Sequence, residues 1–175
     1  MKPALDYSKI HQQMKNNLLS FLCFLCLFCM AKAQYTTHPI VHIGYAYQNQ
    51  SFAEWGGRLL FLKKDEVAFR IGAAALMGQT QEKFAIMPKI QGDILLNFEK
   101  NVDIHHSYYA LLGAETTNMY FAPKLGVNIL GVIDVAAGYA FPYSHQTLHG
   151  KQLKGFNFNF TLNIPWVVIQ DLTKK

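Results

Sequence analysis

Gly155 to Trp166 reads GFNFNFTLNIPW, and this stretch decides the fold. Phe156, Phe158, Phe160, Leu162, Ile164 and Trp166 alternate with Asn157, Asn159, Thr161 and Asn163. A strict period of two puts every large apolar side chain on one face of a strand and every amide on the other. A helix would scatter both sets around its axis.

Working outward, the same alternation recurs in seven further segments, separated by turn residues. Pro39 to Gln48 sets Val41, Ile43, Tyr45 and Tyr47 against His42, Gly44 and Ala46. Phe52 to Lys63 sets Trp55, Leu59 and Phe61 against Gly56 and Arg58. Glu66 to Met77 sets Val67, Phe69, Ile71 and Ala73 against Ala68, Arg70, Gly72 and Ala74. Phe84 to Phe98 sets Ile86, Ile90, Ile94, Leu96 and Phe98 against Lys89, Gln91, Asp93 and Asn97. Ile104 to Gly113 is the least regular, with large residues on both faces. Asn118 to Ile129 sets Met119, Phe121, Leu125, Val127 and Ile129 against Lys124, Gly126 and Asn128. Ile133 to Phe141 sets Val135, Ala137, Tyr139 and Phe141 against Asp134, Ala136, Gly138 and Ala140. Pro88 and Pro123 fall inside two of these segments; proline cannot donate to a ladder, so each predicts a bulge or a strand end.

Volume selects the face that points inward. The apolar faces carry more than a dozen aromatic side chains besides their aliphatic ones. An eight-stranded barrel is only just wide enough for side chains to fill it, so that load must face outward. The opposite faces combine glycines and alanines with Arg58, Arg70, Lys89, Asp93, Lys124 and Asp134, a composition suited to a narrow polar interior in which each charge needs a partner. The expectation is an all-β, antiparallel up-and-down transmembrane barrel of about eight strands. A soluble β-sandwich is the alternative, because two packed sheets have more room between them. The short connections expected at Lys64-Asp65, Glu99 to Asp103 and Leu130 to Val132 lie at the end that holds both termini. Gly78 to Lys83 and Pro142 to Lys154 lie at the other end, the latter the longest and the most exposed surface expected.

The N-terminus reads as a separate, cleavable segment. Lys15-Asn16-Asn17 leads into the apolar run from Leu18 to Met30, and Ala31-Lys32-Ala33 fits a small-x-small cleavage site. The expectation is a signal peptide over residues 1–33, with Met14 as a possible true start and a domain from Gln34 to Lys175. The run is short for a membrane-spanning helix, which takes about 20 residues. Phe28 before Cys29 breaks the pattern of a lipid-modified cysteine. Cys23, Cys26 and Cys29 all lie in this segment, so the domain itself carries no thiol and no disulfide. Without residues 1–33, which hold four lysines and one aspartate, the net charge falls from +5 to +2. The charges are scattered, and no basic stripe with interleaved aromatics points to nucleic acid.

On the cleavage site, the eight alternating segments and the aromatic last strand, the chain from Gln34 to Trp166 resembles the small eight-stranded outer-membrane β-barrel proteins of Gram-negative bacteria. The resemblance implies a place in the cell outer membrane, with outer-membrane lipid and the barrel-insertion machinery as partners; the aromatic terminal strand resembles the signal that machinery reads. It departs from the pattern in that Val167 to Lys175 follow Trp166. It carries no catalytic motif and no cofactor, and leaves open any protein or small-molecule ligand.

Candidate chemistry is sparse. His105, His106 and Ser107, with Glu115 beyond, faintly resemble the His-x-Ser arrangement of outer-membrane lipid A deacylases. Glu115 would stand about 30 Å from His105 on an extended strand, too far for a triad. His38 and His42, like His145 and His149, are spaced as helical metal ligands but lie in a strand and a loop, so they read as surface histidines rather than a metal site. Arg58, Arg70, Lys89, Asp93, Lys124 and Asp134 read as a lumen charge network. The expected role is structural or surface-interactive, without catalysis. The alternatives are a narrow channel or carrier for small solutes, a soluble periplasmic β-sandwich binding protein, and a lipid A-modifying enzyme.

Overall fold

A computed structural model describes residues 36–64, 67–98, 108–144 and 146–174, apart from the side chains of Lys63, Lys64 and Leu172. The expected signal segment 1–33, its alternative start at Met14, Gln34, the turn at 99–103, His105, His106, Ser107 and His145 lie outside them.

Eight antiparallel strands follow in chain order: β1 (Thr36–Gln48), β2 (Ser51–Lys64), β3 (Val67–Thr80), β4 (Lys83–Asn97), β5 (Tyr108–Thr117), β6 (Tyr120–Ile129), β7 (Ile133–Pro142) and β8 (Gly155–Pro165). Each pairs with its sequence neighbour, and β8 closes on β1 in a register that sets Tyr45 opposite Phe160 and Ile43 opposite Leu162. The single closed sheet replaces the sandwich alternative: it has no edge strand to protect. An even number of antiparallel strands brings the start of β1 and the end of β8 to one end of the barrel, the terminus end; the β7–β8 loop lies at the other, the loop end.

The fifth strand corrects the sequence reading. Among the described residues it covers Tyr108–Thr117, so it runs on to Thr117 rather than ending at Gly113, while the expected start at Ile104 lies outside them. Tyr109, Leu111, Glu115 and Thr117 are buried, while Tyr108 and Leu112 face outward. Because both faces carry bulky side chains, periodicity alone could not locate its end.

Neither proline ends its strand. Pro88 pairs with Ala75 of β3, and the ladder to β5 begins only at the next residue, Lys89 opposite Thr117. Pro123 pairs with Ala114 of β5, and the ladder to β7 is interrupted between Phe121 opposite Phe141 and Lys124 opposite Gly138. Each ring sits where the ladder on one side is missing, so the absent N–H leaves no acceptor stranded. Trp166 does not end the last strand but begins a short helix, α1 (Trp166–Thr173).

Candidate functional site: the charged barrel interior

Alternation delivers every second side chain to the interior, and the strand positions set their heights. Arg58, Arg70, Lys89, Asp93, Lys124 and Asp134 are all buried there. Four cations meet four anions, because Glu54 of β2 and Glu115 of β5 join Asp93 and Asp134. Asp134 binds two guanidinium groups: Arg58 Nη1 donates to its Oδ2, and Arg70 Nη1 donates to its Oδ1 at 3.1 Å. Asn128 and Asn163 also donate to it, at 2.6 and 2.9 Å. Arg70 reaches Asp93 at 3.2 Å. Lys89 bridges Glu54 at 2.6 Å and Glu115 at 3.2 Å. Lys124 donates to Gln91 at 3.1 Å and to Glu115 at 3.4 Å. The hydroxyl of Tyr120 and the amide of Asn157 complete the cradle around Glu115, at 3.0 and 2.9 Å. An ion removed from water costs several kcal/mol, and only partners of this density offset it.

Two apolar clusters flank the ions. Toward the terminus end, Ile40, Leu60, Leu95, Tyr109 and Leu111 pack together inside the wall. Toward the loop end, Phe52, Leu76, Met87 and Tyr120 pack with Leu148 and Leu153. The last two belong to the β7–β8 loop, expected as the most exposed surface. Its tip is exposed, but the loop turns its two leucines into the barrel mouth. Lys151 Nζ ties it down by donating to the Asn49 carbonyl and to Gln50, and His149 donates to the Thr80 carbonyl at 3.3 Å.

The outer face has the opposite character. Ile43, Trp55, Leu59, Ile71, Ile86, Ile90, Leu112, Leu125, Tyr139 and Phe156 stand exposed around the whole barrel. Among the described residues no helix is long and apolar enough to cross a membrane, which says nothing of strands.

Several side chains fall elsewhere than expected. His42 is not a surface histidine: it is fully buried, with Nε2 3.0 Å from Glu54 Oε1. His38, four residues earlier, is exposed. Glu115 does not lie beyond a strand end but inside the network. Its place follows from the run of β5 past Gly113 to Thr117, which sets Glu115 opposite Gln91. Glu54 shares parity with Gly56 and Arg58 on β2, a signal present in the sequence that the large apolar residues nearby overshadowed.

The chain matches no protein-family model. No curated protein sequence matches it. Among solved structures it is similar to the outer membrane protein Ail of Yersinia pestis in a phospholipid bilayer nanodisc, at 13% identity and a TM-score of 0.37, over 74% of this chain and 100% of that one.

Proposed function

We propose that the chain is a non-enzymatic β-barrel of the bacterial outer membrane, with a structural or surface-interaction role and a closed interior. The reading rests on one observation: the barrel is inverted relative to a water-soluble one, with a balanced ion network inside and large apolar side chains outside. In water that outer face would be an aggregation surface far larger than the few hundred Å² a soluble monomer usually exposes. In a bilayer it is the solvated face, and closure of β8 on β1 leaves no open sheet edge toward lipid. The signal-type N-terminus supports export to the same compartment.

A channel has less support. The interior cations and anions pair side by side between two apolar clusters, as suits the narrow bore that eight strands surround. A catalytic role has less again, because Glu115 is already held by two lysines, a tyrosine and an asparagine. Outer-membrane fractions compared boiled and unboiled on a detergent gel test the reading. Faster migration of the unboiled form in that fraction is the expected result. Recovery from the soluble periplasm with no shift overturns it. Discrete conductance steps in planar bilayers would replace the closed barrel with the channel, and altered lipid A mass spectra on overexpression would restore the enzyme.

A further inference from the structure

The helix α1 is poorly equipped to stand alone. It is eight residues long, its N-cap is Pro165 with no side-chain hydrogen bond, and its first turn holds no acidic residue. Val167, Val168, Ile169 and Thr173 are β-branched, which disfavours a helix. Helices shorter than about 12–15 residues are marginal in water without an apolar surface to pack on. The barrel supplies only part of such a surface. Trp166 lies against the outer wall in a hollow with Pro39, Val41, Leu59, Ile71 and Ile90. Val167 and Val168 border a second hollow, of about 320 Å³, with Leu60, Leu130 and Val132 at the terminus end. Even so, Trp166, Val167 and Val168 remain 45, 56 and 47% exposed.

What adjoins this exposed apolar surface indicates what covers it. Through Trp166 it is continuous with Leu59, Ile71 and Ile90 of the outward belt. Gln170, Asp171 and Thr173 are exposed on the helix, and two lysines, Lys174 and Lys175, follow in the sequence. An indole and valines beside an apolar belt, followed by long cationic stems, match the boundary between lipid headgroups and acyl chains. We propose that α1 is an interfacial foot, lying in the headgroup–acyl boundary of the leaflet at the terminus end of the barrel and docking on phospholipid. The inference rests on the membrane reading of the barrel.

The test uses tryptophan fluorescence of the full chain in phosphatidylethanolamine–phosphatidylglycerol vesicles, with acyl chains brominated at a shallow or a deep position. One variant carries Trp55→Phe, Trp166→Phe and Val168→Trp, so that its single indole reports α1. A second carries only Trp166→Phe, so that Trp55 on the outer wall reports barrel insertion. The expected result is a blue-shifted Val168→Trp emission, quenched more by shallow than by deep bromine, with Trp55 also quenched. A water-like, unquenched Val168→Trp emission beside a quenched Trp55 overturns the foot and leaves the membrane barrel standing. A blue-shifted but unquenched emission that depends on protein-to-lipid ratio overturns it in favour of a second copy of the chain. Loss of quenching at both sites overturns the membrane reading and the foot together.

Discussion

Asp134 shows how much one side chain holds in this interior. It is 3% exposed and accepts hydrogen bonds from two arginines and two asparagines, so its loss takes a carboxylate partner from two buried guanidinium groups at once, leaving Arg70 on Asp93 and Arg58 on Asn163. Removing one partner of a buried pair typically costs about 3–5 kcal/mol, mostly as the penalty of the charge left behind. Asp134→Ala should destabilise the folded barrel by about that amount, read as a lower urea midpoint in vesicles. Asp134→Ala combined with Arg70→Met should cost less than the sum of the two single changes, since the second removes a charge the first left under-compensated, with Asp93 as its remaining carboxylate. Additive losses would mean that the two residues do not share the pairing described.

At the scale of elements, two devices shape the barrel. Gly126 of β6 sits where a Cβ would meet the Val135 carbonyl and the Cα of Ala136 on β7. The strands approach there with room for a hydrogen only, and glycine is the residue used at such close approaches. Gly126→Val should destabilise the barrel by about 1–3 kcal/mol, the usual range for overpacking, read as a lower urea midpoint, or block refolding. An unchanged midpoint would show that the wall gives way freely. The second device is the β7–β8 loop, anchored by Leu148 and Leu153. Leu153→Ser removes a side chain that is 1% exposed, and its cost falls on the loop, because no strand runs through it. Trypsin should then cut after Lys151 or Lys154 while the rest of the barrel stays resistant and still migrates as a heat-modifiable band. Resistance equal to that of the parent chain would show that the leucine does not hold the loop.

For the whole molecule the decisive property is where the charges lie. Their side chains are at most 4% exposed in every interior ion pair. Mobile ions screen exposed charges over about 10 Å at 0.1 M salt but act far less on buried pairs. The temperature at which the compact gel form converts to the unfolded form should therefore move little between low and high salt. A steep loss of stability with salt would place the ions in contact with solvent and reopen the question of a conducting lumen.

Much of this architecture was legible in the chain itself. Period-two alternation, repeated from Pro39 to Trp166, already pointed to eight strands, to the face presented by every strand but the irregular fifth, and to the six charges Arg58, Arg70, Lys89, Asp93, Lys124 and Asp134 on one side. Side-chain volume against barrel bore then settled which face turned inward. Alternation is a local property, readable wherever one face is bulky and the other small. Where both faces are bulky the signal weakens, so the far end of β5, and with it the place of Glu115, was decided only by pairing with β4 and β6. Closure was likewise tertiary, since no local pattern distinguishes a sheet that meets itself from two sheets that stack. The partners of His42 and Glu54, the inward turn of Leu148 and Leu153, and the accommodation of Pro88 and Pro123 at gaps in the ladder depend on residues distant in sequence. Alternation determines which way a side chain points, and only the closed sheet decides what it meets there.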